Sequence, residues 1–114
     1  MKLYTFDQGG YCTPYHVLAN SKEEALEYIK QYCISRDVKD LQNKNKQLNG
    51  QDSLTFPIRY QWPSWPENMY KEYQTLEEYL TKDGYHYRNY LLFTAPDFVV
   101  EERNIGEVLQ TEVS

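Results

Sequence analysis

Tyrosine is unusually concentrated in this chain, and its abundance constrains the kind of core that the chain can build. Twelve of the 114 residues are tyrosine, and seven of these lie between Tyr60 and Tyr90, together with Trp62 and Trp65. Each ring joins an apolar body, which buries about 150–250 Å², to a polar tip that needs a hydrogen-bond partner or solvent. We therefore expect some rings to build the core and the surplus to form an exposed binding surface.

Length and composition favour one folded domain. A chain of 114 residues lies near the commonest domain size, and 25% charged residues is ordinary for a globular protein. No apolar run of about 18 residues occurs, and residues 1–7 lack the apolar segment of a signal peptide. We expect a single domain over residues 1–114, located in the cytoplasm, where Cys12 and Cys33 would remain free thiols.

The N-terminal part of the chain carries the pattern of a β-hairpin followed by a helix. Residues 2–6 and 15–19 read as two strands joined by a glycine-containing turn. Ser21 and Glu24 then have the spacing of a capping box, in which the serine hydroxyl accepts the glutamate backbone N–H. Apolar residues follow at helical spacing, so the sequence predicts a helix over residues 21–34.

The middle of the chain is polar and then becomes strand-like. Residues 36–53 are rich in asparagine, which disfavours a helix interior, and they indicate a loop or a marginal helix. Residues 54–62 alternate between apolar and polar side chains and predict a strand. Pro57 cannot donate to a neighbouring strand, which favours a sheet edge or a bulge, and such an edge suggests a homodimer.

The remaining pattern predicts one more helical region and three strands. Residues 64–82 repeat apolar side chains at helical spacing, as one helix or as two short helices broken near Gln74. The predicted strands after this region are residues 85–93, 98–103 and 107–113. Short turns between strands favour antiparallel pairing, so the sequence predicts an α+β fold: an antiparallel sheet of about four to six strands, with two main helices packed on one face.

No residue pattern in the chain indicates catalysis, a cofactor or a metal. Glycine-rich phosphate loops and nucleophile-elbow motifs do not occur. Cys12 and His16 form only one loose pair, whereas a zinc site needs four converging ligands. No third group is apparent that would orient His16 or His86 as a base for Cys12. We therefore expect a protein that is not an enzyme and has no cofactor or metal.

The net charge of −5 is unevenly distributed along the chain. Residues 1–57 hold seven basic and seven acidic side chains, whereas residues 58–114 hold five basic and ten acidic ones. An acidic half disfavours nucleic acid, because phosphates require lysine and arginine to replace their counterions. It favours a partner protein with a basic surface, through electrostatic steering and complementarity.

These observations lead to a main functional hypothesis and an alternative. The main hypothesis is a small acidic protein that binds and occludes a partner protein, as immunity proteins, antitoxins and phage anti-defence (anti-CRISPR-like) inhibitors do. The likeness to those proteins is one of composition and not of motif. The alternative is a non-catalytic protein that sequesters a small molecule or a nucleotide in an aromatic pocket.

The candidate binding residues are aromatic or acidic and lie in the second half of the chain. Tyr70 and Tyr79 lie off the apolar stripe of the predicted helix, and Tyr85 and Tyr87 share one face of a predicted strand, so these four are candidate exposed rings, of which at least some are expected at the surface. The full set is Trp62, Trp65, Tyr70, Tyr79, Tyr85, Tyr87, Glu101, Glu102 and Glu107.

Overall fold

The computed structural model describes residues 1–9 and 13–104, and within them the chain adopts an α+β fold. Three helices and five strands occur in these residues, and the strands form two antiparallel sheets. The strands are β1 (Lys2–Phe6), β2 (Tyr15–Ala19), β3 (Ile58–Tyr60), β4 (Lys71–Tyr73) and β5 (Glu101–Asn104). The helices are α1 (Lys22–Asn49), α2 (Leu76–Asp83) and α3 (Tyr85–Phe93). The predicted fold class is confirmed, with the strands divided between a three-stranded and a two-stranded sheet.

The chain divides into two compact units. Unit 1 comprises Met1–Tyr32 and Asn89–Ser114, and unit 2 comprises Cys33–Arg88. Helices α1 and α3 each contribute residues to both units, because the unit boundaries fall within them. The expectation of a single domain over residues 1–114 stays a prediction.

Unit 1 is built on the three-stranded sheet, in which β1 lies between β2 and β5. The predicted hairpin of residues 2–6 and 15–19 is confirmed, with Tyr4 opposite Val17 across the two strands. On the other side of β1, Tyr4 lies opposite Glu102 of β5. Because side chains alternate along a strand, Tyr4 and Phe6 both point to the buried face of the sheet.

Aromatic rings form much of the core of unit 1. The ring of Phe93 lies 5.5 Å from Phe6, 5.6 Å from Tyr15 and 5.0 Å from Phe98, measured between centroids. Phe6 and Phe93 are almost completely buried. Ring pairs at these separations contribute beyond the area that they bury, so the N-terminal hairpin and the C-terminal segment are held together by the same cluster.

Unit 2 has its own apolar core, which lies around the two-stranded sheet. Ile58 of β3 pairs with Tyr73 of β4, and both side chains are buried. Tyr79 packs edge-on against Tyr73, with centroids 5.0 Å apart. The buried members of this core are Leu41, Ile58, Tyr60, Tyr73, Tyr79 and Leu80.

The hydroxyl contact of the predicted capping box at Ser21 and Glu24 is confirmed, and Thr75 and Glu78 make the same contact. The backbone N–H of Glu24 donates to the Ser21 hydroxyl at 3.1 Å, and that of Glu78 donates to the Thr75 hydroxyl at 3.2 Å. A hydroxyl acceptor at this position satisfies a backbone donor that the helix itself leaves unpaired. The two boxes therefore mark where α1 and α2 begin.

Of the two alternatives predicted for residues 36–53, a loop or a marginal helix, the structure shows a helix as far as Asn49, because α1 continues to that residue. Leu41 is buried within this extension, and the Asn45 side chain, only 4% exposed, donates to the Ser53 carbonyl at 3.1 Å. Packing and this hydrogen bond offset the low helix propensity of asparagine. Despite its 28 residues, α1 is too polar to span a membrane, and no other helix in the described part of the chain could do so.

The helical region predicted over residues 64–82, as one helix or two, is correct only in its last part, since α2 begins at Leu76. Residues 71–73 form β4 instead, because they pair with β3 and Tyr73 is buried by that pairing. Before β4 the chain makes turns, in which the backbone N–H of Trp65 donates to the Trp62 carbonyl at 3.0 Å. The apolar residues whose spacing predicted a helical region thus belong to a strand, β4, and to a helix, α2.

The strand predicted over residues 54–62 is shorter in the structure. Strand β3 spans only Ile58–Tyr60, so Pro57 precedes it and lies outside the pairing. The Asn49 side chain donates to the Arg59 carbonyl at 2.8 Å, which satisfies a backbone acceptor of β3. A homodimer through this edge stays a prediction.

The C-terminal strand predictions have different outcomes. The strand predicted over residues 98–103 is present as β5, which spans Glu101–Asn104. The strand predicted over residues 107–113 lies outside the described residues.

Residues 85–93 form helix α3, so the prediction of a strand there was wrong. The cause is Asp37, whose carboxylate oxygens accept the backbone N–H groups of His86 at 3.0 Å and Tyr87 at 2.7 Å. An acidic acceptor at a helix N-terminus satisfies unpaired donors and interacts favourably with the helix dipole. This cap comes from α1 and lies 49 and 50 residues before the two backbone donors that it satisfies.

Candidate functional site

The two tryptophans among the candidate binding residues lie partly inside unit 2. Trp62 and Trp65 are half-buried and pack against the core around Tyr60 and Tyr73. The ring of Trp65 lies 6.5 Å from that of Tyr60. Much of each indole ring therefore packs against the core of unit 2, and only part of its surface is accessible to a ligand.

Tyr79 is only 2% exposed, so the expectation that it forms part of an exposed surface was wrong. The helical stripe that placed it off the core assumed a helix starting near residue 64. Because α2 begins at Leu76, its buried face consists of Tyr79 and Leu80. Burial is also the main reason why the pKa of the Tyr79 hydroxyl is raised, with the negative charge of Asp37 contributing further.

The remaining candidate tyrosines are not on one face. Tyr85 and Tyr87 were expected to share a strand face, but two positions on a helix are about 200° apart. Tyr85 is 66% exposed, whereas Tyr87 packs against the core of unit 2. Tyr70 is exposed and lies under the guanidinium of Arg59, 3.7 Å from the ring centroid, in a cation–π contact.

The predicted acidic residues of β5 are exposed but already carry basic partners. Glu101 forms an ion pair with Arg103 at 3.0 Å, and Glu102 forms one with Lys2. The hydrogen bond to Glu102 raises the pKa of Lys2, as expected for a charged partner. These pairs neutralise much of the local charge, and Glu107 lies outside the described residues.

The acidic charge follows the two units more closely than it follows the two halves of the sequence. Unit 2 contains eight basic and eight acidic residues and is formally neutral. Unit 1 contains four basic and nine acidic residues, so its sequence accounts for the whole charge of −5. Chain order obscured this division, because unit 1 is assembled from both ends of the sequence.

Unit 1 also contains a surface hollow lined largely by tyrosine, which we call the tyrosine hollow. Its volume is about 310 Å³, near the lower limit of pockets that bind small ligands. Strand β2 provides one wall and helix α1 provides the other. The lining residues are Tyr15, His16, Val17, Tyr28, Ile29 and Tyr32.

Local sequence places the tyrosines around this hollow. Tyr28 and Tyr32 are four residues apart on α1, so they project from one side of the helix, and they are 52% and 50% exposed. Tyr15 meets Tyr32 edge-on, with centroids 6.0 Å apart. The Tyr28 hydroxyl donates to Glu24 at 3.0 Å, and this hydrogen bond raises its pKa. The periodicity of α1 alone could have identified this pair, since both tyrosines flank its buried stripe.

Strand β2, beside the hollow, lies at an edge of its sheet. In the described residues it pairs with β1 on one side, and no strand pairs with its other side. Its side chains alternate, with Tyr15 and Val17 partly buried toward the hollow and His16 and Leu18 exposed. The His16 Nδ1 atom lies 3.1 Å from the Thr5 hydroxyl on β1.

One group of side chains has the composition of a metal site. Ligand atoms of Asp37, Asp40 and His86 lie within 4.8 Å of one another. Both carboxylate oxygens of Asp37, however, accept backbone N–H groups of α3, and the positive end of that helix opposes a cation. The arrangement is accounted for by helix capping.

The comparisons with known proteins give no further guide to function. The chain matches no protein-family model, no curated protein and no solved structure.

Proposed function

We propose that the chain is a non-catalytic binding protein that occludes a basic surface on a partner protein, and that unit 1 provides the binding surface. The observation that carries this proposal is the coincidence in unit 1 of the net charge of −5 with two half-exposed tyrosines, Tyr28 and Tyr32. Tyrosine is enriched at protein interfaces because its ring buries apolar area while its hydroxyl keeps a polar contact.

Electrostatics would set the rate and the choice of partner. A single-signed surface accelerates encounter with the opposite charge and rejects partners of like charge. Nucleic acid is disfavoured as a direct partner for this reason, since its phosphates would face an acidic unit. A basic groove on a nuclease or toxin, which normally receives phosphates, fits the same charge, in keeping with an inhibitor, antitoxin or immunity protein. A cytoplasmic location belongs to this proposal.

Affinity capture with matched variants tests the proposal. Tagged wild-type protein is compared with a Tyr28→Ala/Tyr32→Ala double variant and with Tyr70→Ala, which removes an exposed tyrosine of unit 2. The expected result is a stoichiometric basic partner that the wild type and Tyr70→Ala retain and the double variant loses. Capture should weaken about tenfold or more between 50 mM and 500 mM salt, since exposed charge pairs are screened. Equal retention by all three proteins, or a partner whose binding ignores salt, would contradict the proposal.

A small ligand in the tyrosine hollow is the second candidate, and its volume of about 310 Å³ is the observation that favours it. Three rings around an apolar wall suit a flat or aliphatic molecule more than a highly charged one. Native mass spectrometry of protein purified from its own host should then show a constant added mass. The Tyr28→Ala/Tyr32→Ala variant should lose this mass, while Tyr70→Ala keeps it. A spectrum with the bare chain mass in repeated preparations would remove this candidate.

A further inference from the structure

Unit 1 contains a second hollow, which combines apolar side chains with two carboxylates and which we call the aspartate hollow. Its volume is about 580 Å³, within the range of pockets that bind small ligands. Asp7 and Asp97 are its charged lining residues, and Leu92, Phe98 and Val99 give it apolar surface. It shares no lining residue with the tyrosine hollow, so it is a separate place for a contact.

The apolar side chains of the aspartate hollow are open to solvent. Val99 is 84% exposed and Leu92 is 55% exposed. The ring of Phe98 stacks on that of Phe6, with centroids 6.5 Å apart, and it is half-buried, so the rest of it lines the hollow. Single exposed apolar residues are ordinary, but apolar side chains gathered around one hollow mark a contact surface.

The two carboxylates determine the charge of the group that fits this surface. One oxygen of Asp7, Oδ1, accepts the backbone N–H of Gly9 at 2.8 Å. The exposed carboxylate of Asp97 forms neither a hydrogen bond nor an ion pair within the part of the chain that the structure describes. No lysine or arginine is among the described lining residues. A cation is therefore attracted to the hollow, and an anion is repelled.

Apolar walls beside carboxylates suit a long basic side chain, because its aliphatic stem buries against apolar surface while its head stays charged. Arginine fits better than lysine. Its guanidinium has five donors for the two carboxylates, is more weakly hydrated than an ammonium group, and can lie on an aromatic ring such as that of Phe98. The chemistry of the hollow therefore favours arginine.

Other occupants are less well matched to the hollow. A purely apolar side chain would remove the carboxylates from water without giving them a partner. Residues 105–114 contain two glutamates and no lysine or arginine, so they offer no cation. A second copy of the chain carries the same net charge of −5. A separate protein with a basic surface is the occupant that complements the charge.

We propose that the aspartate hollow receives an arginine side chain of the partner protein. The stem of this arginine packs against Leu92 and Val99, and its guanidinium lies near Phe98 and donates to Asp7 and Asp97. The proposal rests on the proposed function. It adds a second contact to that of the tyrosine hollow and names the residue type that the partner supplies there.

A short peptide tests the hollow without knowledge of the natural partner. The probe is a glycine–arginine–glycine tripeptide blocked at both ends, titrated into the isotope-labelled full chain and followed by NMR. We expect saturable shifts of the methyl signals of Leu92 and Val99 and of the ring signals of Phe98. A dissociation constant of about 1–10 mM is expected for a ligand with so few atoms. Absence of saturable shifts at these residues up to about 50 mM peptide would overturn the proposal.

Two matched peptides identify the recognised group. Citrulline in place of arginine keeps the shape of the side chain but removes its charge, and this peptide should bind at least about tenfold more weakly. The lysine peptide should bind at least about threefold more weakly, since an ammonium group lacks the planar fork of donors. Equal binding of the arginine and citrulline peptides would overturn the proposal. So would shifts of Leu92 and Val99 that depend on protein concentration without peptide, because a second copy would then occupy the hollow.

Protein variants separate the two carboxylates from the general charge of unit 1. Asp7→Asn and Asp97→Asn should each weaken binding of the arginine peptide by about threefold, and the double variant by about tenfold. Asparagine at position 7 keeps an acceptor for the Gly9 N–H, so the local turn is preserved. Glu23→Gln removes an exposed carboxylate of unit 1 that does not line the hollow, and should leave binding unchanged. Equal weakening by Glu23→Gln would overturn the proposal.

Affinity capture distinguishes failure of this proposal from failure of the proposed function. The Asp7→Asn/Asp97→Asn double variant should retain at least about fivefold less of the partner than the wild type does. If it retains the partner fully, while Tyr28→Ala/Tyr32→Ala loses it, the arginine contact is rejected and the proposed function stands. Binding of the arginine peptide without capture of any basic partner would support the chemistry of the hollow and contradict the proposed function.

Discussion

The backbone N–H of Tyr87 donates to the carboxylate of Asp37, which lies 50 residues earlier in the chain, at a distance of 2.7 Å. The other carboxylate oxygen accepts the backbone N–H of His86, so one side chain caps helix α3 with both of its acceptors. Asp37 is 1% exposed. A buried carboxylate is costly unless it is hydrogen-bonded, and here the capped helix provides those bonds.

Removal of this cap should destabilise the fold. Asp37→Ala would leave two backbone donors without their acceptor, and we expect a loss of about 2–4 kcal/mol in the free energy of unfolding. Asp37→Asn keeps one acceptor oxygen and should reduce the free energy of unfolding by less than Asp37→Ala does. Urea denaturation followed by circular dichroism measures both, with Asp40→Asn as an exposed control that should change stability by less than about 0.5 kcal/mol. Equal stability of Asp37→Ala and the wild type would disprove the capping role.

Gly84 should not tolerate a side chain, for steric reasons alone. A Cβ atom there would lie 2.6 Å from the Leu80 carbonyl oxygen and 2.8 Å from Oδ2 of Asp37, whereas the backbone angle φ of Gly84 is an ordinary −76°. We expect Gly84→Ala to cost about 1–3 kcal/mol, as overpacking does. Gly50→Ala is the matched control: its site is open but has a φ of +67°, so only backbone strain of about 1–2 kcal/mol is expected.

If Gly84→Ala leaves the denaturation midpoint unchanged, the close approach of α1 to the start of α3 at this position is incorrect. A double variant with Asp37→Ala adds a further check. Because Asp37 provides one of the colliding atoms, the two substitutions should be less than additive.

Phe93 should be far more important for stability than its neighbour Leu92. Phe93 is 1% exposed and meets three other rings, whereas Leu92 is 55% exposed. We expect Phe93→Ala to lose about 3–5 kcal/mol, since truncation of a buried aromatic residue leaves a cavity. Leu92→Ala should lose less than about 0.5 kcal/mol. Thermal and urea unfolding of the pair test this, and similar losses for both variants would contradict the described core of unit 1.

Alkaline pH should destabilise the protein through two buried tyrosines. Burial, followed by a hydrogen bond to Asp83, raises the pKa of Tyr73, and burial raises that of Tyr79. Above pH of about 10 the unfolded chain releases these protons while the folded chain retains them. The contribution of these two tyrosines to the free energy of unfolding is thus fully present below pH of about 10. It is lost as the pH rises further, by up to about 1.4 kcal/mol per pH unit for each tyrosine.

Urea midpoints measured between pH 8 and pH 11 test this expectation, together with tyrosinate absorbance. Tyr73→Phe should flatten the alkaline decline, because it removes one of the two retained protons. Tyr85→Phe, at an exposed position, should leave the decline unchanged. A midpoint that stays constant up to pH 11 would contradict the burial of both hydroxyl groups.

Sequence analysis succeeded where the determinants of structure were local. The hydroxyl of Ser21 and the backbone of Glu24 lie three residues apart, and the capping box that they predicted is present. The hairpin of β1 and β2 was predictable for the same reason, because its strands alternate and follow closely along the chain. These features depend on side chains that interact within a few residues of one another.

The failures have long-range causes. Helix α3 depends on Asp37, and strand β4 depends on its pairing with β3. A helical signal did exist within α3, since His86, Asn89, Tyr90 and Phe93 recur at helical spacing and all are at least half-buried. The concentration of acidic charge in unit 1 was missed because net charge was counted along the sequence, whereas unit 1 combines residues from both halves of the chain.

The discontinuity of unit 1 has a consequence for synthesis on the ribosome. Its central strand β1 is translated well before β5 (Glu101–Asn104), which pairs with the second side of β1. All of unit 2, Cys33–Arg88, is translated in between. The hairpin of β1 and β2 therefore keeps both of its outer edges unpaired while 81 further residues, from Asn20 to Val100, are added. During that interval its exposure to chaperones and to other nascent chains is greatest.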